Sequence, residues 1–571
     1  MEYLLLPRPR SVTTTGGTVR QLHDAATRTD PAVARPQGYR LHVDAERVEL
    51  VGHDEAGLRF GRATLGQLQR LLAARGELPA VDIEDWPDFP DRGFMLDVSR
   101  DRVPTMDQLR GVVDTCAQVK LNHLELYTEH TFAYAGHETV WRDASPVTPD
   151  EVRQLDAAAA HAGVELVPNQ NCFGHMERWL KHKAYAHLAE APDGFTTPWG
   201  QVRTDPTTLY PADPASIALV TDMLDQLLPC FTSPRVNVGC DETWDLGQGR
   251  SKQACAERGV GRVYLEFLQK VYEQVRRRGR TMWFWADVIL HHPDLVGELP
   301  EDAVAMVWGY EGTNDFEDQC AKVAAAGRKF AVCPGTSSWC SFAGRTANML
   351  ANVTGAAAAG RRHGGLALVN TDWGDQGHLQ PWVASLPGLA WGAAVSWCAD
   401  SNEAMSRDQL AAAVDLHVLD GACDGVAALM MELGDVYLQT GIRRNNSALP
   451  FLYLVRDFTF KADDANAPSV AALEQAWEHA KDLAARAARL PAKGDAGRLL
   501  RDEAAYAAAL VAAGLEVGLR KARNAGSLTD ADRAAIRATV APLVEQHAPL
   551  WRARRREGGR AESVSRLTHW L

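Results

Sequence analysis

The chain has 571 residues, and 60 Lys plus Arg against 73 Asp plus Glu leave a formal net charge of −13. With 46% hydrophobic and 23% charged residues it has ordinary globular usage, which excludes a disordered or collagenous chain. At roughly 150 residues per domain the length allows two to four domains, and the acidic balance argues against holding nucleic acid or an anionic membrane by bulk charge.

The first residues, MEYLLLPRPR, lack the apolar core of a signal peptide, and no stretch approaches the roughly 20 apolar residues that span a bilayer. The ten cysteines are scattered, without a CxxC pair, and read as buried, reduced thiols. A cytoplasmic protein is the expectation. Residues 1–87 read as a small α/β unit: Tyr39 to Val43 and Arg47 to Val51 alternate in the strand period, and Leu65, Leu68 and Leu72 mark a helix before Gly76. Pro87 and Pro90 then stop regular structure and suit a domain junction.

From 88 to 404 the pattern is of short apolar strands separated by helical stretches. Eight strands are predicted, at 92–98, 122–127, 164–170, 235–239, 281–287, 303–310, 329–335 and 366–373. Between the first two, Met106, Leu109, Val113 and Cys116 recur at the spacing of an amphipathic crossover helix. Eight β-then-α units predict a (β/α)8 TIM barrel; an open doubly wound sheet is disfavoured because no glycine-rich phosphate loop follows any strand. Residues 405–571 read as a helical C-terminal region packed on the barrel. There Ser469 to Leu490 is helical up to Pro491, Tyr506, Leu510, Ala513 and Val517 share a face, and Thr529 with Asp532 forms a capping box. The basic run from Arg552 to Arg560 reads as a solvated helix face.

Barrel enzymes carry their chemistry at the C-terminal ends of the strands. Here those ends hold Asp97, Glu129, Asn171 with His175, Asp241 with Glu242, Asp287, Glu311, Trp339, and Trp373 with Asp375. Twelve of the 16 tryptophans fall between 141 and 397, so aromatic walls and convergent acids coincide, which suits a sugar ring. At least half of these tryptophans read as barrel core, Trp283 and Trp391 foremost; Trp285, Trp308, Trp339 and Trp373, just past strand ends, are the better pocket candidates. The densest signal is VNVGCDETWD at 236–245, where adjacent acids reach one site only if the chain turns.

RGFMLDVSR (92–100), KLNHLEL (120–126) and VNVGCDE (236–242) together resemble glycoside hydrolase family 20, the β-N-acetylhexosaminidases, over roughly residues 1–400. The resemblance implies that Glu242 is the general acid/base and that Asp241 orients and stabilises the substrate's acetamido group. It also implies that Arg92 holds ring hydroxyls, that His175 fills the histidine position of the third-strand motif, and that Asp375 binds outer hydroxyls. Trp285, Trp308 and Trp373 look like walls around the acetamido methyl. Asn171 stands where the family has an acid, and the tyrosine that bonds the acetamido oxygen is missing after the seventh strand, where Trp339 is the nearest counterpart with an N–H to donate.

The implied activity is retaining exo-β-N-acetylhexosaminidase action on terminal GlcNAc or GalNAc through an oxazolinium intermediate. The implied partner is an N-acetylhexosamine-terminated oligosaccharide or glycoconjugate, with no cofactor or metal. Neither nucleic acid nor membrane is expected as a partner, and a homodimer stays open. Two alternatives also stay open: a conventional two-carboxylate glycosidase using Asp97 or Asp287, and a catalytically silent carbohydrate-binding barrel. A metal-dependent hydrolase is disfavoured, because His291-His292 is the sole adjacent histidine pair and chain neighbours seldom share a metal.

Overall fold

A computed structural model describes residues 3–461 and 464–571; Met1 and Glu2, where the first predicted unit begins, lie outside the described residues. Strands β1 (Ser11–Val19), β2 (Ala25–Thr29), β3 (Tyr39–Val43), β4 (Val48–Gly52) and β5 (Leu78–Asp85) form one sheet in the order β1-β5-β3-β4-β2. β3 and β4 are the two alternating segments, paired antiparallel with Tyr39, Leu41 and Val43 buried. The edge strand β1 escapes a periodicity reading because eight of its nine residues are exposed. β5 occupies the first half of the stretch read as a junction and ends just before Pro87. Helix Glu55–Arg75 covers the sheet, capped by the Asp54 side chain at its start and by left-handed Gly76 at its end.

The barrel strands are β6 (Asp91–Asp97), β7 (His123–Tyr127) and β8 (Glu165–Val167), then β11 (Arg235–Asn237), β12 (Thr281–Trp285), β13 (Val304–Trp308), β14 (Lys329–Cys333) and β15 (Ala367–Asp372). Between β8 and β11 a long loop carries the hairpin β9 (Phe195–Thr196) and β10 (Val202–Arg203). Hydrogen-bonded neighbours run β11-β12-β13-β14-β15-β6-β7-β8. The ring closes where the Gln170 and Asn237 N–H groups donate to the Asn237 and Pro168 carbonyls, both at 2.9 Å. All eight predicted strands form: β6 keeps its predicted length one residue earlier, β7 loses only its first residue, and the other six are shorter because their C-terminal residues turn out into the loops that build the site. The TIM barrel is thus the fold of this region. Inside it, buried Glu125 gathers His123, Asn169 and Asn237 into one hydrogen-bonded layer.

The C-terminal region packs helices Val470–Ala487, Gly494–Arg523 and Asp530–Arg554 together. Ser469 and Thr529 cap the first and third of these as their spacing predicts. Tyr506, Leu510, Ala513 and Val517 are buried on the middle one. The basic run departs from the expected solvated face. Arg555 is buried and donates to the carbonyls of His378 and Gln380, Arg554 pairs with Glu503, and Arg556 donates to the Pro104 and Pro146 carbonyls. It clamps the helical region to the barrel. Helical periodicity misses this because the guanidinium donors meet backbone acceptors from distant loops.

All ten cysteines are unpaired and buried, and no helix among the described residues is long and apolar enough to cross a membrane.

Candidate active site

The acid pair sits where β11 gives way to a tight turn. Gly239 (φ 67°), Cys240 (φ 68°) and Glu242 (φ 48°) all take left-handed backbone, so consecutive side chains do not alternate as in a strand. A side chain at Gly239 would put its Cβ 2.0 Å from Asn171 Oδ1, so the close approach of the β8 loop demands glycine. Buried Asp245 holds the same two loops together by accepting the Thr207 and Thr208 N–H groups at 3.0 and 3.1 Å. Asp241 and Glu242 consequently face one point: His175 Nε2 lies 3.3 Å from a carboxylate oxygen of each.

His175 itself has φ 54°. Burial alone would lower its pKa, but the Asp241 and Glu242 carboxylates hold it well above the usual imidazole range. Asn171 does not supply the acid behind this histidine, since its amide turns to the Thr128 carbonyl. Glu129, from the loop after β7, is the nearest carboxylate on that side, 3.9 Å from Nδ1 and beyond hydrogen-bond reach, while the Arg100 guanidinium lies 3.4 Å from the same nitrogen; burial pushes the Glu129 carboxyl up to about 7.

Arg100 organises the other side. Its guanidinium pairs with Asp97 and Glu129 at 3.2 Å, approaches Asp375 at 3.9 Å, and lies over the Tyr127 and Trp373 rings. Arg92, expected to hold ring hydroxyls, is instead at the start of β6, at the opposite end of the barrel. It is fully buried between Phe60 and Trp397 and donates to the carbonyls of Lys120 and Phe89. Burial pushes its pKa down to about 9. It joins the barrel floor to the helix and a loop of the N-terminal unit, through Phe60 and Gln37, and lies away from the pocket; Arg100, the last residue of the RGFMLDVSR string, is the arginine that lines it.

A small cavity of about 70 Å³ is lined by Asp241, Glu242, His175, Trp308, Tyr310 and Trp373, together with Arg100, Asp375 and Asn446. Trp308 stacks on Tyr310 with ring centroids 5.1 Å apart, and Trp373 stands edge-on to Tyr127 at 4.6 Å. Trp285 does not line this cavity: it is 1% exposed and backs Trp373 from 5.8 Å. Trp339 is also withdrawn, because its indole N–H donates to Asn446 Oδ1 at 2.8 Å rather than into the cavity. The phenol in the pocket is Tyr310, just past β13 and inside a segment read as strand. Asn446 comes from the C-terminal region, and nothing in the sequence marks it. Trp283 and Trp391 are core, at 2% and 4% exposure.

Asp97 and Asp287 differ sharply from the acid pair. Asp97 is fully buried, with its oxygens taken by the N–H groups of Ser99, Arg100 and Gly374 and by the Arg100 side chain. Asp287 accepts the Glu242 N–H at 3.1 Å and the Trp308 indole at 3.3 Å; burial, with Asp241 and Glu242 nearby, pushes it up to about 8. His175, Asp241 and Glu242, all expected in the site, offer three donor atoms within 4.8 Å of one another, a grouping that the chain neighbours His291 and His292 do not provide. Three donors are the number an open catalytic zinc site supplies, but the Arg100 cation, 3.4 Å from His175 Nδ1, opposes a further positive charge there.

Trp373→Ala is expected to raise KM and lower kcat together, because the ring walls the small cavity, and also to lower Tm, because the indole is 6% exposed. Steady-state kinetics beside a thermal melt check this; unchanged kinetics in a less stable variant would assign Trp373 to the core alone.

Residues 89–352 match the description "Glycosyl hydrolase family 20, catalytic domain", and residues 2–86 match "Glycosyl hydrolase family 20, domain 2". The chain is 29% identical over 211 residues to Hexosaminidase D of Bos taurus, covering 35% of this chain and 58% of that protein. It is 30% identical over 208 residues to Hexosaminidase D of Homo sapiens, covering 35% of this chain and 39% of that protein. The match thus spans less than two thirds of either relative's length. Among solved structures, one described as a beta-N-acetylhexosaminidase superposes with a TM-score of 0.60 at 19% identity, covering 74% of this chain and 94% of that one.

Proposed function

We propose, for a chain that belongs to glycoside hydrolase family 20, that this pocket removes a terminal β-linked N-acetylhexosamine with retention, by substrate-assisted catalysis. On this reading 1–87 is the accessory α/β domain, 88–404 the catalytic barrel and 405–571 the helical region that completes the pocket rim with Asn446. The sugar is GlcNAc or GalNAc, its ring between Trp373 and Trp308, with Asp375 and Arg100 at its outer hydroxyls. The acetamido oxygen attacks C1 while Glu242 protonates the departing glycosidic oxygen. The C1–O bond to the leaving group breaks, the C1–O bond of an oxazolinium forms, and Glu242 then takes a proton from the water that opens the ring. An intramolecular nucleophile held in near-attack geometry removes about 7–11 kcal/mol of barrier.

One observation carries the reading. Asp241 Oδ1 is buried and has no hydrogen-bond partner among the described residues. Buried carboxylate oxygens are rarely left so, and the acetamido N–H of a bound substrate is the donor that would complete it. The conventional two-carboxylate alternative lacks a free nucleophile: Asp97 has its oxygens engaged, and Asp287 accepts the Glu242 N–H on one oxygen and the Trp308 indole on the other while burial pushes it toward its neutral form. A silent sugar-binding barrel has no use for an acid pair converging on a charged histidine.

The test compares kcat/KM of paired aryl β-glycosides carrying 2-acetamido or 2-hydroxy groups. Strong preference for the acetamido sugar is expected; comparable values would overturn substrate assistance.

A further inference from the structure

Three arginines meet where helix Asp530–Arg554 ends against the barrel, at a place the hydrolytic chemistry leaves unused. A narrow cavity there is lined by Arg102, Gln108, Arg554 and Arg555, with Leu96 and Trp382 as apolar walls, and no aspartate or glutamate among the described residues lines it. Arg102 is 3% exposed, and its Nε and Nη2 have no hydrogen-bond partner among the described residues. Asp372 stands 3.6 Å from it, with its oxygens already accepting the Thr336, Ser338 and Ser385 hydroxyls. Arg555 is 8% exposed and has no carboxylate within ion-pair distance among the described residues; its terminal nitrogens donate to the neutral carbonyls of His378 and Gln380. Glu503 is engaged by Arg554, one oxygen on each of two guanidinium nitrogens.

A guanidinium keeps its proton near neutral pH, so Arg555 and Arg102 are buried charges on one cavity, the first unpaired and the second paired only at a distance. Burial pushes Arg102 down to about 10 and Arg555 well below the usual arginine range, and the repulsion from Arg102 is the next cause for Arg555. A buried charge without a matching partner is strongly disfavoured, and here two share one seam between the barrel and the C-terminal helices. Gln108 spends its Oε1 on Arg554 at 3.0 Å, which leaves its amide N–H groups as donors. The side-chain groups left free on this wall are therefore donors, two of them cationic. The centre of a water-sized sphere has about 10 Å³ of room here. That space suits a single particle near that size and excludes phosphate or a carboxylate-bearing molecule.

We propose that this cavity is a halide site, filled by chloride, which ties the C-terminal helices to the barrel. The ion accepts the free N–H groups of Arg102 and the Gln108 amide, and Arg555 supplies the second positive charge. The site is separate from the hydrolytic pocket and does not depend on the glycosidase reading. Its test is the Tm of the full chain in sodium chloride, sodium bromide and sodium gluconate at one ionic strength. Gluconate is too large for the cavity, so it sets the baseline. The same series is run on Arg102→Met, which keeps most of the apolar stem and removes the charge. The parent is expected to melt about 2 °C higher in either halide than in gluconate, with the shift saturating as halide rises. Arg102→Met should lose that difference, whereas general salt effects on the surface are common to both proteins. Crystals grown in bromide should show anomalous scattering from an ion in contact with Arg102 and Arg555, a readout that stands even if the variant fails to fold. The same halide shift in parent and variant, or a cavity without bromide, would overturn the inference. Bromide in the cavity with no halide effect on the parent's Tm would be an adventitious ion only, and would overturn the tie as well.

Discussion

Asp241→Asn is expected to lower kcat by two to three orders of magnitude while changing KM much less. Positive charge spreads over the acetamido group as the oxazolinium forms, so its N–H becomes a stronger donor in the transition state than in the ground state. A carboxylate accepting that bond therefore contributes chiefly to kcat. By analogy with removal of an oxyanion-hole donor the cost is about 2.7–4 kcal/mol. The structure adds a second effect: Asp241 leads the interactions that hold His175 protonated against its burial. In the asparagine variant the imidazole pKa should fall, so the kcat–pH profile should lose its basic limb at lower pH than in the parent. A stable thiazoline mimic of the bicyclic intermediate should inhibit the parent tightly and the variant far less. Equal inhibition of both proteins would remove Asp241 from contact with the acetamido group.

Glu242→Gln should abolish most activity on natural glycosides, by about 10²–10⁴-fold, because an amide cannot protonate the departing oxygen. The loss should shrink with a nitrophenyl aglycone, which leaves as a stable anion. Folding should be unaffected, since the side chain is 27% exposed at the pocket mouth and the backbone N–H bond to Asp287 is retained. The measurement is kcat/KM for both substrate types beside a thermal melt. Equal losses on the two substrates would exclude Glu242 as the acid.

The fold and the acid pair are readable without coordinates, for physical reasons particular to them. Eight short apolar runs separated by helical stretches have few ways to bury their faces, and parallel strands buried on both sides are written as local patterns. Asp241 and Glu242 stand in one motif at a strand end, where a turn is the sole way to aim both at one site. Ser469 and Thr529 likewise act within a few residues of their own positions.

What the tertiary structure alone decides depends on residues that are close in space and remote along the chain. Arg92 and Arg100 belong to the same sequence string, but they lie at opposite ends of β6, and which of them meets the pocket depends on how the strand sits in the barrel. Glu129, rather than anything at position 171, is the carboxylate nearest His175 Nδ1 because β7 and β8 are neighbours. Tyr310 faces the cavity because β13 ends one residue pair earlier than its apolar pattern suggests. Asn446 reaches the rim, held by Trp339, from a region whose periodicity speaks only of helix packing, and the arginines near 555 find backbone carbonyls that no local pattern displays. Propensity and spacing encode contacts within a few turns; long-range hydrogen bonds and cavity walls exist only once the barrel has closed and the C-terminal helices have docked on it.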